Sequence, residues 1–124
     1  MVKWRRNRYL IIQVYCDPNC KLDKHLILNS IFDSVLTLFG VLGASGMYLN
    51  LIYYDVEMRR GILRCVHTVV PLVRAALSLI WHIHSCPIFI RVLKVTGSVK
   101  KAREILNSFP QSKIMGDEEA VPEV

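Results

Sequence analysis

The sequence predicts an all-α fold, a small integral membrane protein in which one transmembrane helix is followed by a second, amphipathic helix that spans the bilayer or lies in its interface. Together they would form a helical hairpin. Two observations predict it. Residues 34–54 run for 21 positions without a charged side chain, and at about 1.5 Å of rise per residue such a helix crosses a hydrocarbon core of roughly 30 Å. The apolar residues, 52% of the 124-residue chain, crowd its middle and give a mean hydropathy of +0.32, whereas the helices of a water-facing domain space them at surface-helix intervals.

The first region, 1–33, is a basic juxtamembrane segment. Lys3, Arg5, Arg6 and Arg8 precede the first acid, Asp17, and suit anionic lipid headgroups, with Trp4 and Tyr9 at the interface. Its local structure stays open: strand alternation puts Leu10, Ile12 and Val14 on one face, while a helical wheel scatters the arginines. The stretch Cys16-Asp17-Pro18-Asn19-Cys20 contains a turn signal, so Cys16 and Cys20 can approach each other for a disulfide. A structural zinc site would show a second such pair, so no metal is expected.

The second region, 34–90, is the hairpin. Along the first helix Asp33, Thr37, Gly40, Ala44, Met47 and Asn50 recur at intervals of three or four. They form a small or polar face of the kind that lets helices pack closely in lipid. Tyr48, Tyr53 and Tyr54 fit an aromatic belt, and Asp55 marks the exit. After it, Arg60, Arg64, His67, Pro71, Arg74, Ser78, His82 and Ser85 again recur at three or four. The reading is a helix over 66–90 with a polar seam of His67, Arg74, Ser78, His82 and Ser85, its first turn set or kinked at Pro71. A central Arg costs roughly 2.5–3.5 kcal/mol on insertion, which the flanking aliphatic residues can offset for Arg74. Arg59, Arg60 and Arg64 would sit among headgroups at the turn of the hairpin. The basic residues favour both termini on one side and this loop opposite.

The third region, 91–110, is basic and amphipathic. Thr96-Gly97-Ser98 breaks the chain, Ser98 serves as N-cap, and Val99, Ala102, Ile105 and Leu106 share a face opposite Lys100, Lys101 and Arg103. A helix lying on the membrane surface up to Pro110 follows. The last region, 111–124, reads as an acidic disordered tail.

No chemistry is legible. His67, His82, His84, Asp33 and Glu57 make no catalytic constellation, and Gly40, Gly43 and Gly46 lie inside the apolar run, where close packing explains them better than phosphate binding. The chain reads as no enzyme and as needing no cofactor. The net charge of +6 and a pI near 9.4 admit a nucleic-acid partner, but the basic clusters lack interleaved aromatics and no zinc-finger, RNP-like or P-loop pattern is present. The expected partners are therefore a bilayer and either another membrane protein or a second copy, not nucleic acid. The expected role is a noncatalytic subunit, assembly factor or adaptor of a larger membrane complex, in the endoplasmic reticulum or the mitochondrial inner membrane. The alternatives are a viroporin-like pore former acting by self-association, or a soluble helical adaptor that hides its apolar run against a partner.

Overall fold

The first strand, β1 (Asn7–Cys16), is rich in Tyr, Ile and Val, residues that fit a pleated, buried surface. A computed structural model describes residues 6–108 and places β1 at the centre of a sheet of order β2-β3-β1-β5-β4, antiparallel throughout. The other elements are α1 (Lys24–Ser45), β2 (Asn50–Asp55), β3 (Arg60–Val66), a 3₁₀ turn (His67–Val69), α2 (Val70–Ser78), β4 (His82–Ile83), β5 (Cys86–Thr96) and α3 (Val99–Ser108). The four main strands and first two helices follow one another as β1-α1-β2-β3-α2-β5. The expected all-α membrane hairpin is thus overturned by an α/β fold built on an antiparallel sheet.

Alternation along β1 feeds two cores. Leu10, Ile12 and Val14 face α1 and α2, and join Ile27, Ile31 and Val35 of α1, Val73, Ala76 and Leu77 of α2, and Leu51, Leu63, Ile88 and Ile90 of the other strands. Ile11 points the other way, onto Ile62 and α3. Because both faces of β1 are covered, five consecutive residues from Leu10 to Val14 are buried, the pattern of a two-sided central strand.

The uncharged run 34–54 does not form one helix. Asp23 caps α1 by accepting a hydrogen bond from the Leu26 amide at 2.9 Å. Ile27, Ile31 and Val35, four apart, then bury one stripe against the sheet, each worth about 1.5–3 kcal/mol. By length and composition alone α1 could cross a membrane. It is interrupted at Gly40, whose φ of 77° suits a residue without Cβ, and it ends at Ser45. The chain then turns back, with Met47 buried and its carbonyl accepting from the Val66 amide at 3.0 Å, and the last residues of the run become β2. A bilayer-spanning helix keeps its backbone hydrogen bonds within the segment; here those of 50–55 go to β3.

The second expected helix, over 66–90, is likewise resolved into several elements. Pro71 stands in the first turn of α2, where its missing N–H costs nothing. The helix stops at Ser78 after only nine residues, and the chain re-enters the sheet through β4 and β5. The Arg60–Arg64 part of the stripe lies on β3.

Candidate functional site

Among the described residues, the sheet face opposite α1 and α2 is covered over only part of its length. Residues paired directly across antiparallel strands share a face, so the pairs of Tyr9 with Arg64 and Thr96, Ile11 with Ile62 and Lys94, Gln13 with Arg60 and Arg91, and Tyr15 with Phe89 line up on this side. α3 crosses the first part of it, setting Ala102 and Leu106 on Ile11 and Ile62, with Tyr9, Ile52, Tyr53, Leu93 and Ile105 around them. Ser98 caps it, its hydroxyl accepting from the Lys101 amide at 3.2 Å. The amphipathic face expected to meet lipid meets the sheet instead.

One buried cation fastens the far end of α3. Arg60 is 5% exposed; its Nε donates to Gln13 Oε1 at 2.9 Å and its Nη1 to the Leu106 carbonyl at 3.4 Å. The last carbonyls of a helix lack intrahelical partners and carry partial negative charge, which a cation satisfies. Burial pulls the Arg60 pKa below its ordinary value, with Tyr15 and Asp55 acting in the opposite direction. Gln13, itself buried, donates to the Met58 and Arg59 carbonyls at 3.0 and 3.1 Å. Beyond that end, among the described residues, α3 no longer covers the sheet: the Tyr15 and Phe89 rings stack with centroids 5.7 Å apart, and Phe89 is 47% exposed.

The residues singled out by spacing scatter over this frame. Of the small and polar set, Asp33 and Thr37 line a cleft of about 540 Å³ together with His82, His84 and Trp81; Gly40 is the helix break; Ala44 is half-buried; Met47 is core; and Asn50 is an exposed end of β2 paired with Arg64. The seam residues do not share a face: His67 meets the Arg6 backbone, Arg74 and Ser78 are exposed on α2, His82 is on β4, and Ser85 is in the turn before β5. Of the arginines assigned to headgroups, Arg5 lies outside the described residues, as do 111–124. Arg6 is exposed, Arg8 donates to the Asn7 carbonyl at 3.1 Å, and Arg59 reaches the Pro18 carbonyl at 3.3 Å. Arg103 lies over the Tyr53 ring at 5.7 Å, while Lys100 and Lys101 are exposed. The disulfide is corrected too. The turn at Asp17 forms, with the Cys20 amide donating to the Asp17 carbonyl, but Cys20 bonds Cys86, across a Cα separation of 6.2 Å, and Cys16 is free. Spacing missed Gln13, Tyr15, Phe89 and Arg91; the alternation Ile88, Ile90, Val92 against Phe89 and Arg91 was the available signal.

A βαββαβ order with the antiparallel sheet arranged β2-β3-β1-β5 defines the class: a split βαβ, ferredoxin-like domain, here extended by a short β4 and a basic third helix. Within that class the chain belongs to the Rpp14/Pop5 family, whose match covers residues 8–107, from β1 through α3. It is similar to ribonuclease P protein component 2 of Methanocaldococcus jannaschii, 34% identical over 98 residues that make up 79% of this chain and 70% of that protein. The corresponding components of Archaeoglobus fulgidus and Pyrococcus abyssi are 29% and 28% identical, over 79% and 80% of this chain and 85% and 82% of theirs. In fold it resembles a chain in the cryo-EM structure of yeast ribonuclease MRP, with a TM-score of 0.64 at 12% identity, covering 86% of this chain and 95% of that one. These findings overturn the expected membrane-complex subunit, its pore-forming alternative, its placement in the endoplasmic reticulum or mitochondrial inner membrane, and the exclusion of nucleic acid.

Proposed function

We propose that this chain is a noncatalytic protein subunit of a ribonuclease P-type ribonucleoprotein, meeting RNA on the α3 side of its sheet and another protein at the far end of α1. The observation that carries the reading is the extent of the family match, which takes in the whole folded unit, together with relatives that are themselves ribonuclease P components. Physical features support it. The α3 side carries Arg64, Arg91, Lys94, Lys100, Lys101 and Arg103, and a one-sided basic surface is the electrostatic footprint of phosphate binding. Past Gly40, α1 leaves Val41 73% and Leu42 89% exposed, next to exposed Leu36, Leu38 and Tyr48; an apolar patch of this kind marks a protein interface. The free thiols are the opposite of activated nucleophiles: burial pushes Cys65 up to about 11 and raises Cys16 despite the nearby Arg59.

The test is affinity purification of the tagged chain from its natural source. A discrete structured RNA and ribonuclease activity should be retained at moderate salt and lost together at high salt, as counterion release demands. Recovery of RNA no different from an untagged control, or of the chain in a carbonate-resistant membrane fraction, would overturn the reading.

A further inference from the structure

We infer that the end of the sheet past α3, Tyr15 with Phe89 and the adjacent Arg91, is a stacking site for an unpaired RNA base. The inference rests on the RNA-associated reading above and assigns it a specific contact.

β5 turns different residues to its two faces. Ile88 and Ile90 are buried against the helices, whereas Phe89 and Arg91, between and beyond them, are exposed on the other face. A half-buried strand places polar residues on its wet side, so an exposed Phe there is the departure. Phe89 stacks on Tyr15 with ring centroids 5.7 Å apart and an interplanar angle of 27°, so the two rings act as one aromatic pair whose exposed member is Phe89, not as two isolated side chains. α3 does not reach it: the covered stretch ends at Gln13 and Arg60, one pleat away. Arg91 follows Phe89 by two positions, about 7 Å along the same face, and Lys94 extends the basic line toward α3.

Flat aromatic area beside a row of cations matches an unpaired nucleotide, whose base offers a π-face and whose backbone offers phosphate. Duplex RNA does not fit, because its bases are already stacked and its deep major groove excludes side chains. Acids among the described residues at this end include Asp17, just past β1, Asp55, paired with Arg60 on β3, and Glu57 in the turn after Asp55; the Asp17 backbone carbonyl is 3.5 Å from the Arg59 guanidinium, which brings a positive charge to this end.

The experiment uses the full chain, a 12-nucleotide mixed-sequence RNA containing 4-thiouridine, and the duplex of the same sequence. Ultraviolet crosslinking with fragment mass spectrometry should place adducts on Tyr15 or Phe89. Phe89→Ser, and the double variant Tyr15→Leu with Phe89→Leu that keeps bulk but removes the rings, should weaken single-strand binding about fivefold or more, the low end for one lost base stack. Duplex binding should be unchanged, with circular dichroism verifying the fold. RNA binding that persists with adducts only elsewhere overturns this inference and leaves the proposed function standing. Failure of the chain to associate with RNA, alone or in the particle from its natural source, overturns both.

Discussion

Leu106→Ala separates the two roles open to α3. As a cover for the sheet, α3 is held by Leu106 and Ala102 packed on Ile11 and Ile62, with Leu106 8% exposed and Ala102 fully buried. Truncating a buried Leu to Ala costs about 2–5 kcal/mol, set by how far the site can collapse. Leu106 is near the end of its helix, where collapse is easy, so about 2 kcal/mol is expected. The substitution leaves the Leu106 carbonyl that accepts from Arg60 in place, so the loss reports packing alone. For a domain of this size each kcal/mol moves the melting temperature by roughly 4–8 °C, which puts the shift on the order of 10 °C. Thermal denaturation followed by far-ultraviolet circular dichroism measures it, with Lys101→Ala, fully on the outer surface, as a control that should barely move. A membrane-surface helix would behave in the opposite way. Unchanged melting together with reduced flotation on anionic vesicles would refute the sheet-cover argument.

Gly61→Ala should shift the urea midpoint down by the equivalent of about 1–3 kcal/mol, because the added Cβ would lie 2.7 Å from the Tyr53 carbonyl oxygen and 3.0 Å from Tyr54 Cδ1, forcing β2 away from β3; an unaltered midpoint would show that the strands are not so tightly apposed. The Cys20–Cys86 bond joins positions 66 apart, and chain-entropy reasoning assigns such a closure about 4 kcal/mol. Reductant should therefore lower the melting temperature of the wild-type chain and of Cys16→Ser but not of Cys86→Ser, and identical melting with and without reductant would dismiss the bond. Burial lifts the Cys65 thiol from its usual 9.0 to about 11. A raised folded-state pKa gives stability that is present below the unfolded value and is lost as the pH climbs through the folded one, so unfolding should become easier between about pH 9 and 11, and Cys65→Ala should flatten that part of the curve. A profile identical in the variant would rule Cys65 out as the source.

Several elements could be read from the chain without the fold. The alternation of Leu10, Ile12 and Val14, the turn at Asp17, the Ser98 cap and the apolar face of Ala102, Ile105 and Leu106 all appear in the structure, while Val99 stays exposed. These features are local: a period of two, a hydrogen-bonded turn and a capped amphipathic turn depend on neighbours within a few residues. What covers the amphipathic face is not local. The same stripe on α3 suits lipid or a sheet equally well, and the sheet it meets is assembled from residues as distant as Ile11 and Ile62.

The larger misreading has a specific physical origin. An interval of four residues is one helical turn and also two strand periods, so Arg60 and Arg64 satisfy a helical stripe while lying on the same face of β3. Continued through the helical spacing of α2 and into β4, a single periodic pattern joined three elements of different geometry. The uncharged run failed for a related reason. Hydropathy records which residues avoid water but not where the backbone turns, and in 34–54 the apolar side chains belong partly to α1, partly to a buried connection at Met47 and partly to β2. The turning information was in Gly40 and in the β-forming Leu51, Ile52, Tyr53 and Tyr54, which a window average erases. The candidate site was hidden by the same averaging. Tyr15 and Phe89 are 74 positions apart in the chain and become one surface only through the pairing of β1 with β5, so the aromatics missing from the basic clusters in sequence are supplied beside them by the sheet.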